Sequence, residues 1–311
     1  MRQEILYTLD TPYRQSLSVE GFRFGRGQKC CAIVGALRGN EIQQMYTCSL
    51  LVRELKRLEQ QGAINKNREI LVIPCVNHFS MNVGSRFWSV DNTDINRMFP
   101  GYDKGETTQR IAQALFSAVQ GYDYGIHFTS FYIQGEFVPH VRIMHTGYEN
   151  PNLAGLFGLP YVLIRNPKPY DTTTLNYNWQ IWNTNAFSIY SLESDDISTP
   201  NAEMSVSAVL RFLSRVGALR YPCHNGYMSV TLQEDHLANV HTTCGGIFHR
   251  LKVVGENVQY GEVIGEILDP LTAEVKEQLI APTSGTLFFA AKNPLITQHA
   301  EAYRIIRRLH T

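Results

Sequence analysis

The sequence predicts an α/β fold: a mostly parallel, mixed sheet with helices on both faces, followed by a small all-β domain. Three observations carry this. Short apolar runs alternate with helical repeats through the first two-thirds of the 311 residues. Beyond about Arg220 the helical repeats stop, and short strands punctuated by glycine take over. The composition is 44% apolar and 11% aromatic but only 18% charged, which supports a sizeable core and argues against disorder.

Ala32-Ile33-Val34 reads as a buried strand ending at Gly35. Glu41 to Gln61 then reads as a helix, because Ile42, Met45, Val52, Leu55 and Leu58 follow the three-to-four spacing and Gly62 stops it. Ile70 to Ile73 is the next strand, broken by Pro74. Thr107 or Thr108 is placed to cap a helix carrying Ile111, Leu115 and Val119. Gly125-Ile126 marks another buried strand, Tyr161 to Ile164 a further one, and Phe187 to Leu192 the last of the series. Ala202 to Val216 is amphipathic and closed by Gly217. The expected division is residues 1–220 as the α/β domain and 221–311 as the β domain.

In the β domain, Gly255-Glu256-Asn257-Val258, Gly261-Glu262, Ile264-Gly265 and Ala281-Pro282-Thr283-Ser284-Gly285 resemble the barrel-sandwich hybrid of lipoyl and biotinyl carriers. Those carriers present a lysine at a hairpin tip. The matching turn, near Leu268-Asp269-Pro270, has none, so cofactor carriage is not expected.

Lys+Arg and Asp+Glu both number 28, so the net charge is zero. That removes the bulk electrostatic case for a nucleic-acid or anionic-membrane partner. No apolar run reaches the ~18 residues of a spanning helix. The N-terminal stretch lacks an apolar core and is not expected to be a cleaved secretory leader. The six cysteines form no CxxC pair, so free thiols in a reducing cytoplasm are expected.

Four stretches carry possible chemistry. Gly35 to Glu41 lies at a strand-to-helix turn, where ligands bind in such sheets. Alone, Glu41 reads as an acid favoured at a helix start. Asp94-Ile95-Asn96-Arg97-Met98-Phe99-Pro100-Gly101, with Arg86 upstream, places two arginines and an amide in a turn-rich loop. That set suits a carboxylate ligand, and it also suits ordinary surface ion pairs. His127 follows a buried run and alone reads as a packed histidine. Glu193, at the end of a strand, becomes a general base if partly desolvated. His140 and His145 read as pocket-rim or structural residues, and Trp88, Tyr132, Trp179 and Trp182 as core or pocket wall.

In this order and spacing the stretches resemble the succinylglutamate desuccinylase/aspartoacylase family of the zinc carboxypeptidase superfamily. The matching positions are Arg38-Gly39-Asn40-Glu41, Arg86, Asp94 to Gly101, His127 and Glu193, with Phe157 to Pro160 and the β domain also fitting. The resemblance implies hydrolysis of an amide in an N-acyl amino acid or short carboxylate-bearing peptide. Glu41 and His127 would be zinc ligands, Glu193 the base and Arg86 the oxyanion donor. Asn96 and Arg97, with Arg38 beside them, would bind the substrate.

Two positions depart from the family pattern. Arg38 stands where the first ligand histidine belongs, and a guanidinium has no lone pair for a metal. Gly125 stands where an orienting aspartate is common. Three arrangements follow: a replacement ligand, with His78 best placed; Arg38 as a fixed cation paired with Glu41 and Glu193; or a degenerate site in a non-catalytic homologue. The last would bind a carboxylate ligand or pair with an active paralogue or a second copy. Zinc is therefore an expectation only where a third ligand exists.

Overall fold

The computed structural model describes residues 1–10, 16–190 and 196–308. The chain forms two compact units. The larger comprises residues 1–130, 141–189 and 194–231. In chain order its elements are β1 (Arg2–Leu9), β2 (Leu17–Gly25), β3 (Gln28–Ala36), α1 (Ile42–Gln60), β4 (Arg68–Cys75), α2 (His78–Asn82), α3 (Thr107–Val119) and β5 (Tyr124–Phe128). After β6 (Gly135–Phe137), which belongs to the second unit, come β7 (His140–Met144), α4 (Pro151–Gly155), β8 (Tyr161–Arg165), α5 (Leu175–Ile181), β9 (Asn185–Tyr190), α6 (Thr199–Arg215) and β10 (Val230–Gln233).

The sheet runs β1-β2-β4-β3-β5-β9-β7-β8-β10. Strands β4, β3, β5 and β9 are mutually parallel, and β1 and β2 add antiparallel at one side. Alternation along β3 explains the two-sided burial. Cys31 and Ile33 join one core with Leu51 and Leu55 of α1 and Val209 and Phe212 of α6. Ala32 and Val34 join the other, with Ile111 and Leu115 of α3 and Leu175 and Trp179 of α5. A strand covered on both faces carries an unbroken apolar run. Each fully buried leucine contributes about 1.5–3 kcal/mol.

The helices differ in detail from the expected stripes. On α1 the buried face runs through Gln44, Thr47, Cys48, Leu51, Leu55 and Leu58, while Met45 and Val52 are half-buried. Gln43 is buried too, because its amide donates to Ser198 O at 3.0 Å and accepts from Ser198 N at 2.9 Å. The hydroxyls of Thr107 and Thr108 do not cap α3; both donate to Asp91 Oδ2, at 3.0 and 3.2 Å. Gln109 instead folds back to accept from Glu106 N at 3.1 Å. Helix α6 begins at Thr199 rather than Ala202.

The second unit comprises residues 131–140, 190–193 and 232–311. Its strands are β6, β11 (Leu237–His241), β12 (Gly246–Arg250), β13 (Asn257–Val258), β14 (Val263–Leu268), β15 (Val275–Ile280), β16 (Gly285–Ala291), β17 (Leu295–Ile296) and β18 (Glu301–Arg307). They form two antiparallel sheets, β11-β18-β16-β13 with β6 on β16, and β15-β14-β12-β17. Tyr303 ties one to the other by donating to Ile264 O at 2.8 Å. No helix among the described residues is long and apolar enough to cross a membrane.

Candidate active site

Strand β3 delivers the chain to the turn Leu37-Arg38-Gly39-Asn40 before α1. The turn is tight enough to need glycine: a Cβ on Gly39 would sit 2.2 Å from Ser85 O. Gly39 N donates to Arg86 O at 3.0 Å, so the backbone at Arg86 braces this turn.

Glu41 precedes the first residue of α1 but makes no capping bond to it. Its carboxylate turns back into the site and is fully buried. Oε2 accepts from Leu37 N and Arg38 N, both at 3.0 Å. Oε1 accepts from Arg38 Nη1 at 3.0 Å, Ser130 Oγ at 2.6 Å and Ser130 N at 3.2 Å. A carboxylate offers about four lone-pair directions, and five donors already converge on this one. Burial pushes its pKa up, but Arg38, His127 and the Ser130 hydroxyl outweigh that and hold it below the usual range.

The Arg38 guanidinium spans two acids. While Nη1 serves Glu41, Nε and Nη2 donate to Asp94 Oδ2 at 3.1 and 2.9 Å. Only 5% of Arg38 is exposed. Burial opposes its charge; Glu41 and then Asp94 more than restore it, so Arg38 stays a cation. Asp94 Oδ1 accepts from Asn96 N at 2.9 Å, which fixes the short 3-10 turn Ile95–Arg97.

His127 lies inside β5, not beyond it, level with Val34 of β3 and Ser188 of β9. It is buried, and its Nε2 has no hydrogen-bond partner among the described residues. Burial lowers its pKa to about 4; the Glu41 charge opposes this and the Arg38 charge adds to it. The ring is therefore neutral at pH 7. Beneath it Gly125 faces Trp179, whose ring would lie 2.7 Å from a Cβ at that position. An aspartate at 125 has no room. Asn176 of α5 is buried close by and donates to Ser188 Oγ at 2.6 Å.

Asn96 is partly committed, since its Oδ1 accepts from Leu175 N at 3.1 Å and starts α5. Arg97 donates to Tyr170 O at 3.0 Å, pairs with Asp171 at 3.5 Å and lies over the Tyr170 ring, with 30% of its side chain exposed. The buried Asp171 also holds Arg165, at 2.9 Å. Arg86 is half-buried, its guanidinium 5.9 Å from the Phe87 ring centre. Glu193 lies outside the described residues. His140 is buried, stacked on Tyr190 with its Nδ1 at 2.8 Å from Val138 O, and His145 is exposed beside Glu149.

The described residues do not fit a zinc ion. Among them no three His, Cys, Asp or Glu side chains are gathered to hold a metal, so Glu41, His127 and His78 do not form a ligand set. His78 opens the short helix α2 instead. Glu41 has its lone pairs occupied, and the guanidinium of Arg38 lies against it. Of the expected partners of Arg38, Glu41 is present, and the second acid seen is Asp94. Ser130, Asp171 and Asn176 carry no sequence signal of their own. Asp94 does, as the first residue of its motif.

The succinylglutamate desuccinylase/aspartoacylase catalytic-domain model matches residues 28–187, just over half of the chain. No curated protein matches significantly. Among solved structures, the product-bound ectoine utilization protein of Ruegeria pomeroyi is 16% identical, with a TM-score of 0.82 over 99% of this chain and 95% of that one. A succinylglutamate desuccinylase/aspartoacylase of Rhodobacter sphaeroides is 18% identical, with a TM-score of 0.81 over 97% and 95%. An aspartoacylase family protein of Mesorhizobium loti is 20% identical, with a TM-score of 0.76 over 96% and 91%. These structures share the fold, and the chain belongs to the succinylglutamate desuccinylase/aspartoacylase family.

Proposed function

We propose that this member of the succinylglutamate desuccinylase/aspartoacylase family is an amide hydrolase whose substrate is an N-acyl amino acid or a short carboxylate-bearing peptide. The observation that carries the reading is Arg97. Asp171 and Tyr170 hold it in place while 30% of its side chain stays exposed. A fixed, exposed fork of this kind suits a carboxylate. In this reading Asn96 offers its Nδ2 beside Arg97, and Arg86 faces the developing oxyanion. Glu193 takes the proton of the attacking water. Free cysteines among the described residues support a reducing compartment.

One observation favours a second reading, a homologue that binds such ligands without turning them over. Glu41 is saturated and Arg38 is locked between two acids, so both are already engaged within the chain. A panel of N-acetyl, N-succinyl and other N-acyl amino acids, followed for released amine and in parallel by calorimetry, separates the two. Turnover that falls by on the order of 10²–10⁴ in Glu193→Gln supports the hydrolase. Binding without turnover selects the second reading. Neither binding nor turnover across the panel rejects the ligand class.

A further inference from the structure

We infer that Arg38 is the resident cation of this site, bridging Glu41 and Asp94 in place of a divalent metal, and that the pocket works without zinc. The identity of the ligand rests on the function proposed above; the absence of a metal requirement does not.

The charge arrangement supports this. Glu41 is fully buried and Asp94 half-buried, and both are in contact with the Arg38 guanidinium. Burying an acid without a partner is costly, and removing one member of such a group leaves an uncompensated charge. Glu41 and Asp94 share one guanidinium that is part of the chain, so each already has a cationic partner. Coordination is also closed. A metal at Glu41 would have to displace Arg38 Nη1 or the 2.6 Å bond from Ser130 Oγ. His127 is within electrostatic reach of Glu41, no third His, Cys, Asp or Glu joins them among the described residues, and two protein ligands fall short of zinc's usual three. The replacement reaches beyond Arg38 itself. Trp179 fills the place of a side chain at 125 that would orient His127 as a ligand. The guanidinium on Glu41, the indole against Gly125 and the lack of a third ligand among the described residues all oppose a metal here.

A further consequence is chemical. A guanidinium has five N–H groups in a fixed fork, and Glu41 and Asp94 use three of them. A guanidinium can hold a carbonyl or oxyanion by hydrogen bonds. It cannot lower the pKa of a bound water as zinc does. Any hydrolysis here therefore depends on a side-chain base for its nucleophile.

The test uses the full chain. Protein purified without chelator is analysed for metals, and its melting temperature is measured with EDTA, with added zinc chloride and with neither. The expected result is no stoichiometric zinc and a melting temperature that neither reagent moves. One zinc per chain, removed by EDTA with a fall in melting temperature, overturns the inference. Arg38→Ala is expected to melt several degrees lower, with millimolar guanidinium restoring part of the loss and sodium chloride at equal ionic strength restoring none. An Arg38→Ala protein as stable as the natural chain also overturns it. If that variant does not fold, Arg38→Lys decides: it keeps the charge but not the fork, and is expected to fold and to melt below the natural chain, whereas a lysine variant with the natural melting temperature overturns the inference. If no N-acyl amino acid is hydrolysed, the proposed function fails while the metal result stands. If zinc is found, this inference fails whatever the turnover.

Discussion

Gly125 lies against the indole of Trp179 so closely that a Cβ there would be 2.7 Å from the ring. Trp179 is fully buried and cannot retreat. Gly125→Ala is therefore expected to destabilise the protein by about 1–3 kcal/mol, the usual cost of overpacking. Gly125→Asp should cost more, because a carboxylate would also meet an apolar ring. Urea unfolding measures both; an aspartate variant with the natural midpoint would show that the contact is not rigid.

The same pair shows what the sequence can and cannot convey. The glycine at 125 is visible as a departure from the family pattern, but its cause sits 54 residues away on α5. That helix, Leu175–Ile181, has no sequence signal: it is short and mostly buried, so it has no polar face to create a periodic stripe. Strands β3 and β4 are legible because two-sided burial makes their apolar runs continuous. The antiparallel β1 and β2 alternate more weakly, β1 with exposed and half-buried positions, and give no comparable signal. At the site, motif alone picks out Arg38, Glu41 and His127. It misses Ser130, because a serine after a strand is common and only the fold brings it to Glu41.

The carboxylate clamp makes a second prediction. Arg97→Ala should weaken binding of a cognate carboxylate by about 1.5–3 kcal/mol, the range for hydrogen bonds to charged groups. The fold should survive, because the side chain is partly exposed. Calorimetry with a ligand identified from the acyl panel tests this. Unchanged affinity would remove Arg97 from the ligand's path.

Asn96 gives a third. Its Oδ1 satisfies Leu175 N at the start of α5. Asn96→Ala should cost about 0.5–2 kcal/mol, as loss of a helix-capping bond does. Amide exchange should speed up first in Leu175–Ile181. Uniform acceleration across the sheet would instead mean that Asn96 supports the fold at large.

His127 makes the last prediction, on acid stability. Its pKa is lowered from 6.5 to about 4, chiefly by burial. Above pH 7 the ring is neutral in both the folded and the unfolded chain, and this group adds no pH dependence. Below about pH 6.5 the unfolded chain takes up a proton that the folded chain refuses, so stability falls as pH falls. The fall ends near pH 4, where the folded ring also becomes protonated. Across that window the loss from this one residue is on the order of 3 kcal/mol, because refusing the proton costs about 1.4 kcal/mol for every pH unit the window spans. Glu41 also has a depressed pKa, but its contribution is lost at more acid pH, below the ordinary carboxylate range. The two are therefore separable. Urea unfolding of the natural chain and of His127→Gln, compared at pH 7.5, 5.5 and 4.5, isolates the histidine as a difference between two curves. The natural chain should lose stability faster over that interval. Parallel curves would mean that the folded ring titrates like a solvated one, and that the buried, unpartnered Nε2 reaches water.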